Sequence, residues 1–319
     1  MSGSANSAER LPPWLEPVFT NLVAALDTHR LPHALLIHGP GGWGEALLAD
    51  ALALRLIERD YRDSPSATTV AHPDLRWLAP EGAGEQIKID SVRGVADFMV
   101  QTPQIAPRKV AVLAGAETMN PYAANALLKT LEEPPANSYL ILVSDTVSEL
   151  LPTLRSRCQL VAIRPSSLST ILAWVQAAVP GANTDHLTAL AFEYGGSPLR
   201  LAAALERNEE PIFAQLRDIV LRKLDPLQTA DAWGRGSTLE IVERWMRYLP
   251  LILGVRYGVA VPAGAPLYDA LARAPGRRVV KFWEQLAQAR GLLRGTTNPN
   301  ARLLLESLLL DWRDMAMPM

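Results

Sequence analysis

The segment His38-Gly39-Pro40-Gly41-Gly42-Trp43-Gly44-Glu45-Ala46 stands where a phosphate-cradling loop would stand. That chemistry needs the pattern G-x-x-x-x-G-K-S/T. Glycines bend the backbone around phosphate, the Lys neutralises the β- and γ-phosphates, and the Ser or Thr hydroxyl holds Mg²⁺. Gly39 and Gly44 keep the spacing, but Glu45 replaces the Lys and Ala46 replaces the hydroxyl residue. A carboxylate about 4 Å from a phosphate costs about 4 kcal/mol at an effective dielectric of about 20, and the Lys attraction is lost as well. Nucleotide hydrolysis at this loop is not expected, although the backbone cradle itself can persist. The glycines alone say little, because any strand–turn–helix connection can contain them.

The carboxylate that would hold Mg²⁺ is also missing. The apolar run Val110 to Leu113 is followed by Ala114-Gly115-Ala116, where an active ATPase of this type carries an Asp. Glu117 comes too late to replace it and reads as a solvated loop carboxylate. The chain's one cysteine, Cys158, excludes an internal disulfide and any zinc site built on several cysteines. With no companion His and Asp suggested, it reads as a small apolar residue at the start of a strand rather than a nucleophile.

Such residues need elements to position them. Ala34 to Ile37 is an apolar run entering the glycine loop, and Ala46 to Glu58 is rich in Ala and Leu, so the opening is strand, loop, helix. An amphipathic helix over Trp14 to Leu26 precedes it, and residues 1–10 read as loose and polar. Further strands are expected at Asp74 to Leu78, Val110 to Leu113, Tyr139 to Val143 and Leu160 to Ile163. Between them lie helices at Val92 to Val100, capped by Asp90-Ser91, and from Asn120-Pro121 to Pro134-Pro135. Leu150 to Ser156 reads as one more short helix. This alternation predicts a parallel α/β sheet with helices on both faces. Beyond Arg164-Pro165 no strand is expected. Short helices surround Gly195-Gly196-Ser197-Pro198, one longer helix runs over Leu239 to Leu253, and Asn300 to Trp312 carries an apolar stripe at Leu303, Leu304, Leu308 and Leu309.

With 319 residues the chain has room for two or three domains, here 1–165, 166–208 and 209–319. Hydrophobic residues are 49% and charged residues 20%, an ordinary globular composition. Lys and Arg number 31 against 33 Asp and Glu, a net charge of −2. This excludes a tail-driven nucleic-acid binder, which needs excess cation, but not a local basic patch. The start shows no apolar signal region and no run approaches membrane-span length, so a cytoplasmic location is expected.

The run Asn125-Ala126-Leu127-Leu128-Lys129-Thr130-Leu131-Glu132-Glu133-Pro134-Pro135, followed after twenty residues by Ser156-Arg157-Cys158, resembles the clamp-loader branch of the AAA+ proteins. Pro13-Trp14-Leu15, His72-Pro73-Asp74 and Ile87 to Val92 agree with it. The likeness is strong over 11–165 and mainly architectural over 166–319.

The resemblance implies an AAA+ (RecA-like) P-loop domain, a small helical lid and a helical collar. It also implies a hetero-pentameric ring with gamma/tau and delta subunits that loads a sliding clamp on primed DNA. Such a ring belongs to a DNA-directed DNA polymerase holoenzyme, a nucleotidyltransferase complex. ATP sits between neighbours, and the Arg of the Ser-Arg-Cys motif, here Arg157, acts in trans as an arginine finger. With its eroded loop this chain would be a stator that hydrolyses nothing and takes no cofactor. The competing reading is an active ATPase resembling gamma/tau.

Arg155 is the spare for the finger. Ser144, a nucleotide-sensing position in active relatives, is read as a relic. Arg200 falls near a second such position but out of register, so a structural or interface role is expected. Lys129, Glu132 and Glu133, with Lys129 and Glu133 spaced for an i,i+4 pair, form either a solvated face or a surface toward ring or DNA. DNA contact, if made, is to the backbone, since a loader accepts any sequence. Many relatives insert a four-cysteine zinc module where this chain has residues 59–71 without cysteine, so no metal is expected.

Overall fold

The computed structural model describes residues 11–82, 85–259, 274–295 and 299–315. The expected loose start, residues 1–10, lies outside them. The chain divides into two compact units, Met1–Trp174 and Val175–Met319.

The first unit runs α1 (Glu16–Asp27), β1 (Ala34–His38), α2 (Glu45–Leu56), β2 (Leu75–Leu78), α3 (Ile89–Met99), β3 (Lys109–Ala114), α4 (Pro121–Glu132), β4 (Ser138–Ser144), α5 (Pro152–Arg155) and β5 (Gln159–Ala162). The strands form one sheet in the order β2-β3-β4-β1-β5, and every pairing is parallel. The expected α/β class is therefore observed. Parallel strands are covered on both faces and so read as continuous apolar runs. Leu35, Leu36, Ile37 and Val110 to Leu113 are all fully buried. The register sets His38 opposite Ser144 and Ala114 opposite Val143, so β1, β3 and β4 end at one edge, with their loops above it. Ligand sites of open α/β sheets lie at that edge.

Asn120 caps α4 as expected, accepting the Ala123 N–H at 2.8 Å. The cap proposed for α3 does not form. The helix starts at Ile89 after Lys88, with no side-chain cap, and Asp90 lies in its first turn. An acidic residue there is favoured by the helix dipole without capping, so sequence alone does not separate the two positions. His72-Pro73-Asp74 proves structural. The Asp74 carboxylate accepts the N–H groups of Gln104, Ile105 and Ala106 at 2.7–2.9 Å, and Lys109 Nζ, also fully buried, lies 3.7 Å away.

α6 (Leu168–Ala178) spans the boundary between the units. The second unit continues with α7 (Thr184–Glu193), α8 (Pro198–Glu206), α9 (Ile212–Val220), α10 (Pro226–Trp233), α11 (Thr238–Met246), α12 (Tyr248–Arg256), α13 (Gly276–Arg294) and α14 (Ala301–Met315). No strand occurs among its described residues. Its core holds Trp245, Phe282 and Trp312 with ring centroids 5.3–5.4 Å apart. The single helix expected over Leu239 to Leu253 is two, meeting at Arg247. Pro250 lacks the N–H that would continue the ladder back to Met246. On α14 the buried stripe is Leu305, Leu308, Leu309, Trp312 and Met315, while Leu303 is 60% exposed.

A buried charge network ties α7 to the helices after it. Glu193 accepts Arg244 Nε at 2.8 Å, the N–H groups of Ile212 and Phe213, and the Tyr248 hydroxyl. Arg244 also reaches Glu209 at 3.1 Å.

Candidate functional site

The loop between β1 and α2 turns through left-handed glycines. Gly41, Gly42 and Gly44 have φ of 81°, 73° and 97°, a region that side chains with a Cβ rarely adopt. Its contents are what sequence reading missed. Glu45, the first residue of α2, folds back over the loop. Its Oε1 accepts the Gly41 N–H at 3.1 Å and its Oε2 accepts the Trp43 N–H at 3.0 Å. Glu45 is only 3% exposed. Gly39 makes room for it, since a Cβ there would lie 2.2 Å from Oε1. Trp43 is buried, and its carbonyl accepts Trp14 Nε1–H at 2.7 Å. Ala46 follows, exposed and without a hydroxyl.

The surroundings are anionic. Burial pushes the Glu45 carboxyl above its ordinary range and the charge of Asp145 adds to this, while the loop N–H groups pull the other way. Glu117 is not the solvated carboxylate expected. It sits in the turn after β3 with one carboxylate oxygen buried and unpartnered, and burial pushes it up as well. Asp145 bears on both groups. Burial also lowers His38, which favours its neutral form. Asp145 therefore adds negative charge beside the Glu45 and Glu117 carboxylates. No His, Cys, Asp and Glu cluster suited to a metal ion occurs among the described residues.

Arg157 sits elsewhere. It precedes β5, whose register pairs Gln159 with Leu35 and Ala162 with His38. That puts Arg157 at the edge where the strands begin and the glycine loop at the edge where they end. The two are not brought together within this chain. The guanidinium donates through Nε to Glu132 Oε1 at 2.9 Å and through Nη1 to the Thr153 carbonyl at 3.0 Å. Its side chain is 35% exposed. Glu132 closes α4 and was not distinguished from its neighbours in the sequence, because 25 residues separate it from Arg157.

A family model described as "DNA polymerase III, delta subunit" matches residues 14–167. The DNA polymerase III subunit delta-prime of Pseudomonas aeruginosa is 30% identical over 328 aligned positions, covering 96% of this chain and 98% of that protein. The chain belongs to the delta-prime subunit family of DNA polymerase III. The delta-prime subunit of Escherichia coli is 34% identical over 199 positions, 60% of each chain. Among solved structures, a DNA polymerase III gamma-subunit-related protein of Thermotoga maritima aligns at a TM-score of 0.47 and 20% identity. That alignment covers 95% of this chain and all of that one.

The remaining residues singled out in this delta-prime family member fall as follows. Cys158 is buried and its thiol is pushed up to about 11, which keeps it protonated and unreactive. Ser144 is buried at the end of β4 and accepts the Thr146 N–H at 3.1 Å. Arg155 is exposed at the end of α5. Lys129 and Glu133 form no ion pair, because Glu133 has already left the helix with φ of −123°. Arg200, on α8, lies 3.8 Å from Glu243, which Arg294 also engages at 2.6 Å. The cysteine-free segment 59–71 is pinned by Asp50, whose Oδ1 accepts the Ser66 hydroxyl at 2.6 Å and the Ala67 N–H at 2.7 Å.

Proposed function

We propose that this chain is the non-hydrolysing, stator-like subunit of a bacterial clamp loader. In a hetero-pentameric ring with gamma/tau and delta subunits it presents Arg157 to ATP held by the adjacent ATPase subunit. The ring loads the sliding clamp on primed DNA during chromosomal replication in the cytoplasm. In this reading 166–208 forms the lid and 209–319 the collar. The observation that carries it is the buried Glu45 carboxylate on the N–H groups of Gly41 and Trp43, where a nucleotide phosphate would have to bind. Ala46 and the Ala114-Gly115 exit of β3 support it, since neither holds Mg²⁺. They weigh against an active gamma/tau-like ATPase.

The test is reconstitution. The isolated chain shows no ATP turnover above blank and co-elutes with gamma/tau and delta in size-exclusion chromatography. Turnover by the isolated chain, or separate elution, contradicts the proposal.

Glu132 acts on Arg157 as a positioning residue. Its half-exposed ion pair is worth at most about 1 kcal/mol to the fold, so Glu132→Gln leaves urea unfolding nearly unchanged. In the reconstituted ring the same change lowers kcat by about tenfold with KM for ATP preserved, the signature of a contact made only in the transition state. A change in KM alone, or in stability alone, assigns Glu132 a different role.

A further inference from the structure

The loop has lost its cation and its hydroxyl but not its backbone shape. Gly41, Gly42 and Gly44 hold the left-handed conformations with which consecutive N–H groups form an anion-binding concavity. The N-terminus of α2, a twelve-residue helix, opens directly from it, and Gly44 supplies no side-chain cap. The helix dipole adds positive potential at the same point. An oxyanion already occupies that point, and it belongs to the chain. The two oxygens of Glu45 engage two different loop N–H groups, the side chain is buried, and the bare Cα of Gly39 leaves the space it fills.

We propose that Glu45 is an intramolecular ligand, its carboxylate plugging a preserved oxyanion nest whose natural class of guest is a terminal phosphate group. This deepens the non-hydrolysing reading of the same loop: the chain is closed to phosphate by an autoinhibitory contact, not by collapse of the cradle. A buried N–H deprived of its acceptor is costly, so removing the carboxylate creates a demand that an added oxyanion can meet. Asp145, whose charge acts on Glu45, still repels any anion bound in the freed nest. A cation at position 45 offsets it.

The experiment uses the full chain and inorganic pyrophosphate without metal, read by melting temperature and by the amide resonances of Gly41 and Trp43. A chloride control at equal ionic strength removes the general salt effect. In the unaltered chain pyrophosphate produces no more change than chloride. In Glu45→Ala it raises the melting temperature and shifts both amides. In Glu45→Lys the dissociation constant tightens by about tenfold or more over Glu45→Ala, since the guest then gains a charge-assisted bond. Should Glu45→Ala not fold, Glu45→Gln, which keeps one acceptor oxygen, carries the same comparison.

Folded variants whose Gly41 and Trp43 amides ignore pyrophosphate overturn the plug. So does an unaltered chain that binds pyrophosphate as tightly as Glu45→Ala. Either result removes the plug but restores no Mg²⁺ ligand, since Ala46 and Ala114-Gly115 remain. The non-hydrolysing reading itself is contradicted by ATP turnover or micromolar ATP–Mg²⁺ binding in the unaltered chain.

Discussion

Arg157→Ala lowers ATP turnover at the adjoining subunit's site by about 10³-fold or more, the range an arginine finger supplies in phosphoryl transfer. The fold and the assembly of the ring stay intact. The guanidinium is partly exposed and its partner Glu132 is 51% exposed, so removing it strands no buried charge. Arg157→Lys fails almost as badly, because an ammonium cannot reproduce the planar fork on phosphate oxygens. The measurement is single-turnover hydrolysis by the reconstituted ring with primed DNA and clamp, alongside size-exclusion chromatography of the complex. The ring loses the share of turnover that belongs to one site. An unchanged rate in an assembled ring removes the finger assignment.

Glu193→Ala costs about 3–5 kcal/mol, the penalty of leaving a buried charge without its partner. Arg244 is left with Glu209 as its one close carboxylate partner, beside the Glu210 carbonyl, and the Ile212 and Phe213 N–H groups and the Tyr248 hydroxyl lose their common acceptor. Arg244→Met added to Glu193→Ala recovers part of the loss, because the stranded charge goes with it. Urea unfolding of the full chain measures both. A loss below about 1 kcal/mol for Glu193→Ala shows the network to be incidental. The network bears on function because Glu193 lies in the segment proposed as lid and its partners lie in the segment proposed as collar. A penalty of the expected size means that the network contributes substantially to holding these two segments together in the folded chain.

Most of the sheet was legible in the sequence for a simple reason. Strands buried on both faces are plain apolar runs, and Ala34 to Ile37, Val110 to Leu113 and Tyr139 to Val143 each became a strand with ends within a few residues. Asn120-Pro121 was legible because a cap followed by proline admits one placement. Asp90-Ser91 was not, because Asp suits the first turn as well as the cap. The break between α11 and α12 was written in Pro250, but the apolar periodicity on both sides masked it.

The loop shows the same division. That Glu45 and Ala46 disable ATP chemistry follows from their charge and composition alone. That the carboxylate turns inward onto Gly41 and Trp43 depends on three glycine φ angles and on the space above Gly39, which no residue pattern encodes. Glu117 was misjudged for a related reason. Its burial is produced by the ends of β3 and β4 coming together, and neighbours in the sequence do not report it. The Arg157–Glu132 pair joins two motifs that were each visible, yet only the meeting of α4 with the turn before β5 makes them partners.

Calorimetric titration of the isolated chain with ATP and Mg²⁺ tests most directly whether the phosphate loop is closed. With the Glu45 carboxylate seated on the loop N–H groups, no binding heat beyond dilution is expected at millimolar nucleotide. Saturable binding with a micromolar dissociation constant would mean that the nucleotide displaces the carboxylate and that this subunit is not the silent member of its ring.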